Sequence, residues 1–152
     1  MEPQLDALRL ELAGALFDNV ARQFETFGQD PRLWRLTERD AARLLTASEV
    51  VTWLAEEFRR CAIRLRATDE LNAGMFRGQL PIPDDPAPFE ASLKRPPPPP
   101  LPDPPISIDP ARLDWPRERL TEARDVLRYG SGPTTRAAAE HAEHLRTWCG
   151  GY

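Results

Sequence analysis

Residues 94–105 read KRPPPPPLPDPP, eight prolines in twelve positions. Proline lacks a backbone N–H and fixes φ near −65°, so this stretch can neither continue a helix nor lie inside a sheet. It is the densest part of a longer zone, residues 79–114, in which 13 of 36 positions are proline. Regular structure must therefore lie on either side of it. Ten residues of polyproline II at about 3.1 Å each reach roughly 30 Å, so Pro96–Pro105 is expected to be extended, as a spacer or as a strap that fills a groove. Around Ile106 and Ile108 the sequence PISID alternates like a strand but is too short to build one.

Before this zone the chain reads as helix. Over residues 4–27, Leu5, Leu8, Leu12, Leu16, Val20, Phe24 and Phe27 recur at three- and four-residue steps, with Leu10, Ala13, Phe17 and Ala21 as a second stripe. That is one wide apolar face of an α-helix, and Gly28 is its expected stop. Thr37 with Asp40 three residues later predicts a second, short helix to about Leu45. Ser48 predicts the cap of a third, whose Val51, Leu54, Phe58, Cys61 and Leu65 form a seam suited to packing on the first. Gly74 and Gly78 end it. Beyond the prolines, Pro116 fits the first turn of a helix with Leu120, Ala123 and Leu127 on one face. After the turn YGSGP, a last helix carries Ala138, Ala142, Leu145 and Trp148 or Cys149.

The expectation is thus an all-α protein: a three-helix piece over 1–78, a proline-rich linker over 79–114 and a helical hairpin over 115–152. A hairpin of about 38 residues is below the size at which chains usually fold alone. It must dock on its own N-terminal helices or on another chain.

A formal charge of −4 and a pI near 5.3 oppose the positive field that general nucleic-acid binding needs, and oppose attraction to anionic membranes. Lys94 is the single lysine, and the arginine, alanine and proline bias suits a GC-rich bacterial or phage gene. The acidic, amphipathic start MEPQLDALRLEL does not read as a secretory signal, and charge breaks every apolar run before the roughly 18 residues of a membrane span. A cytoplasmic setting follows as the default, in which Cys61 and Cys149 are expected as free thiols.

No pattern in the chain demands chemistry. His141 and His144 lie three apart in HAEH, with Cys149 as a conceivable third metal ligand. The motif is not HExxH, and it lacks the separate ligand segment of a closed zinc site. Two histidines on a solvated helix face are the simpler expectation, and no metal or cofactor is expected. Glu56 and Glu57 are adjacent and diverge on their helix. No serine stands in GxSxG, and no glycine-rich phosphate loop occurs. No catalytic residue is therefore assigned, and the chain does not read as an enzyme.

LTERDAARLLTASEVVTWL resembles the helix-turn-helix of excisionase-like and MerR-like regulators, through Asp40, Ala41, Ala42, Arg43, Leu44, Leu45 and Ser48. The resemblance covers about 19 residues and would imply DNA binding. It departs at Thr46, where a turn glycine is usual. It departs again at Glu49, Glu56 and Glu57, which would face phosphates in a recognition helix. Lys94, Pro97 and Pro100 obey K-x-x-P-x-x-P, the pattern of a polyproline ligand. Trp115 and Trp148 flank the hairpin, and Trp148 precedes the CGGY tail that ends in Tyr152. Aromatic anchors of this kind are enriched at interface centres. Trp115, Trp148, Tyr152, Pro97 and Pro100 are accordingly the expected partner-binding residues. The expected role is a non-catalytic adaptor or assembly subunit that contacts other protein subunits or another copy. A helix-turn-helix regulator and a metal-dependent accessory enzyme stand as alternatives.

Overall fold

The computed structural model describes residues 2–76, 100–130 and 132–150. These form four α-helices and one short 3-10 turn, with no strand. Helix α1 spans Glu2–Gln29, α2 Glu38–Phe76, α3 Asp114–Arg128 and α4 Pro133–Trp148. The 3-10 turn, Pro110–Leu113, leads into α3. The all-α class follows directly. No helix among the described residues is long and apolar enough to cross a membrane.

The expected three-helix N-terminal piece is corrected to two, because α2 runs unbroken for 39 residues. Thr37 does cap its start, where the Asp40 amide donates to Thr37 Oγ1 at 3.1 Å. Ser48 caps nothing. It is buried inside the helix, and its hydroxyl donates to the Ala21 carbonyl of α1 at 2.8 Å. Thr46 likewise turns back to the Ala42 carbonyl. Both hydroxyls are spent on backbone acceptors, and no proline or glycine stands nearby to break the helix. The turn that the helix-turn-helix resemblance requires is therefore absent at residues 46–48.

Helix α1 is also rotated from expectation at its start. Ala7, Leu10, Ala13 and Phe17 are buried, whereas Leu5, Leu8 and Leu12 remain 49%, 54% and 51% exposed. Both stripes are helical, and spacing alone does not say which one faces inward. The stripes converge further along, where Val20, Ala21, Phe24 and Phe27 are all buried. Gly28, expected as a stop, lies inside α1 at its closest approach to α2. A Cβ there would meet Leu45 Cγ at 2.6 Å and the Ala41 carbonyl oxygen at 2.9 Å.

Helix α2 returns antiparallel along α1, tied by Arg59 to Asp18 and by Arg66 to Glu11. The turn between them holds Arg35 at φ 56° and seats Trp34 edge-on against Phe27 at 4.7 Å. Helices α3 and α4 form the expected hairpin. Pro133 opens α4; Arg124 of α3 holds Glu143 of α4 across the hairpin at 2.6 Å, and Arg146, one turn further along α4, holds the same carboxylate. Arg117 of α3 donates to the Cys149 carbonyl just past α4 at 2.8 Å, a cation where the helix dipole favours one.

The hairpin docks on α1 of its own chain, through α3 above all. One continuous core joins Leu10, Phe17 and Phe24 of α1, Val51 and Phe58 of α2, Leu120 and Leu127 of α3, and Ala142 and Leu145 of α4. Phe24 and Trp148 meet at 5.5 Å, and a Cβ at Gly132 would lie 3.3 Å from the Asp6 carboxylate. Helix α4 therefore runs alongside α1 in the same direction.

Candidate docking groove

Helices α2 and α4 both pack against α1 and leave a slot between them. At one end the slot is filled by the chain itself. Leu101 and Ile108 pack into the core, and the Trp148 indole N–H donates to the Pro102 carbonyl at 2.8 Å. Ser107 bonds to the buried Asp40 carboxylate of α2 through its hydroxyl and through its amide, the latter at 2.8 Å. Arg43 reaches the same carboxylate at 3.0 Å and the Pro104 carbonyl at 3.4 Å. Arg112 donates to the Trp34 carbonyl. The stretch from Pro100 to Leu113 is thus laid over the slot and tied down at four points.

Asp40 is the main tie. Burial pushes its pKa up, but the Ser107 hydroxyl, the amides of Ser107 and Ile106, and Arg43 outweigh burial and hold it below the usual carboxylate range. A buried charge is tolerable only with such saturation of its oxygens. This explains why Asp40, expected at a helix start for capping, accepts bonds from a segment about 67 positions later instead.

At the other end the slot is open. Leu10, Leu54, Phe58 and Ala138 line a groove of about 430 Å3, with Trp53 and Cys61 on its α2 side and Ala137 and His141 on its α4 side. Burial and neighbouring His144 lower the pKa of His141 and so favour the neutral ring, against a smaller opposing pull from Glu140. Burial raises the Cys61 thiol despite Arg64, whose guanidinium donates to its sulfur at 2.9 Å. The groove is therefore apolar at its floor, with Glu57 among the residues that line it. It offers surface for binding.

The expected partner-binding residues divide. Trp115 is 43% exposed, with the Arg119 guanidinium over its ring at 5.6 Å. Trp148 is only 6% exposed, because Phe24 and Pro102 take its ring face and its N–H; it belongs to the core. Pro100 is exposed. Pro97 and Tyr152 lie outside the described residues, as does most of the proline zone. His141 and His144 gather no third ligand: among the described residues no group of three histidine, cysteine or acidic side chains could hold a metal ion. Cys149 is buried, and burial pushes its thiol up to about 12. It and Cys61 are both free thiols.

Sequence reasoning overlooked the groove because its walls come from helices about 80 positions apart. Trp53 was the available signal: it lies beside the α2 seam and not in it, half-buried at the edge of the core. No protein-family model, no curated protein and no solved structure matches this chain.

Proposed function

We propose that the protein is a non-catalytic adaptor or assembly subunit that works by binding other protein chains through its helices. The observation that carries this reading is the open apolar groove between α2 and α4. A second apolar surface supports it, since Leu5, Leu8 and Leu12 stand exposed in a row on the outer side of α1. Apolar surface left contiguous on a small chain marks a site of association, and two such surfaces suit a subunit that joins neighbours. In this reading the proline-rich stretch serves as a strap that fixes the slot at one end and leaves it available at the other.

The test is purification of the tagged chain from its native host beside an Ala137→Arg variant. Ala137 is an exposed residue on the groove wall, so the longer side chain blocks the groove without entering the core. A protein that co-elutes with the wild type in fixed ratio and is lost from the variant supports the reading. A wild-type chain that elutes alone as a monomer overturns it.

A further inference from the structure

The proposed adaptor role leaves the shape of the bound chain open, and this inference rests on that role. We propose that the groove between α2 and α4 receives an extended, proline-containing peptide of a partner protein. Three observations converge on this occupant.

The first is length. The groove runs from Trp53 to Cys61 on α2 and from Pro133 to His141 on α4, which at 1.5 Å per residue is about 12 Å. That length takes about four residues of polyproline II.

The second is continuity. The same slot, at its other end, already holds a proline-containing segment of this chain, Leu101–Ile108, which carries neither helix nor strand. That segment shows how the slot binds: apolar side chains enter the core while side-chain donors from the walls meet backbone carbonyls, as Trp148 does at Pro102. The open end repeats the arrangement. Leu10, Leu54 and Phe58 supply the floor, and Thr134 and His141 bring a hydroxyl and an imidazole to one wall.

The third is chemistry. A proline residue has a carbonyl but no N–H, so a proline-rich ligand asks for donors and aromatic faces and brings few donors of its own. Trp53, half-buried on the α2 wall, provides such a face. Preformed polyproline II also loses little entropy on binding, which favours short contacts in aromatic grooves.

Cys61 supplies the reporter, because it is half-buried in the groove while Cys149 is sealed in the core. The rate at which an aromatic disulfide reagent modifies Cys61 is measured in the full chain, with Cys61→Ser confirming the assignment. The probes are a capped proline decamer and a capped alanine–leucine helical peptide of equal length, each at millimolar concentration. The proline peptide is expected to slow the reaction several-fold in the wild type and not in Ala137→Arg, and the helical peptide to leave it unchanged. Protection by the helical peptide alone overturns the inference and keeps the adaptor role. Protection by neither, with a native partner still lost from Ala137→Arg, does the same. Protection that grows with protein concentration assigns the groove to a second copy and overturns it. So does faster reaction when Leu80, Ile82 and Phe89 are changed to serine, which gives the groove to the chain's own segment.

Discussion

Replacing Gly28 by alanine sets two effects of similar size against each other. Alanine is favoured over glycine inside a helix by about 1 kcal/mol, and Gly28 lies one residue from the end of α1, where that gain is smaller. Against it stands the Cβ itself, which would come within 2.6 and 2.8 Å of Leu45 Cγ and Cδ2 and 2.9 Å of the Ala41 carbonyl oxygen. Leu45 is half-buried and can turn away. The Ala41 carbonyl is backbone within α2 and cannot move without shifting the helix. Overpacking of this kind costs about 1–3 kcal/mol, so Gly28→Ala should be destabilising by about 1 kcal/mol or more. In a chain of this length that lowers Tm by roughly 2–4 °C. Gly14 is the control, since a Cβ there would meet only the Ala55 carbonyl oxygen at 3.3 Å and side-chain atoms beyond it. Gly14→Ala should leave Tm unchanged or raise it. Adding Leu45→Ala to Gly28→Ala should not restore the loss, because the backbone contact persists. A thermal melt by circular dichroism in which Gly28→Ala equals or exceeds the wild type would refute the close α1–α2 approach.

Further outcomes follow from the ties around the slot. Asp40→Asn keeps the shape but removes the charge from the Ser107 and Arg43 bonds, at a cost of about 1–2 kcal/mol; trypsin should then cut after Arg112 several-fold faster, and an unchanged rate would mean Asp40 does not hold the strap. Because the folded pKa of Asp40 is lowered, its contribution is complete above the ordinary carboxylate value and is lost as pH falls through the lower folded one. Glu143 behaves alike, its pKa held at about 2 by Arg146 and Arg124; stability should decline between about pH 4.5 and 2, and Glu143→Gln should flatten that decline in melts across the window. Native chain at pH 8 should expose one slowly reacting thiol, Cys61, with Cys149 reacting only after denaturation; equal rates would show that Cys149 is not sealed in the core.

Much of the fold was legible because helices announce themselves by period. The apolar faces of α3 and α4 (Leu120, Ala123 and Leu127; Ala138, Ala142 and Leu145) are the buried ones, since each helix has a single stripe. Helix α1 has two, and it is Leu10 rather than Leu8 that is buried in the core. Only tertiary packing decides between them. Ser48 misled for a related reason: the small polar residue that favours a cap also permits two helices to touch, and its bond to Ala21 is invisible along the chain. The groove was least legible. No local pattern records that two helices pack on a third without packing on each other.

Helix α1 lies at the centre of the molecule, yet it is made before the helices that cover it. Helix α2 can cover one of its sides once residue 76 has emerged. Trp148, which closes over Phe24, follows 72 positions later, a delay of about 4–14 s at 5–20 residues per second. For that interval the side of α1 bearing Phe24 stays wet. A fragment ending at Phe76 should therefore bind more of a hydrophobic dye than the chain that runs on through Trp148.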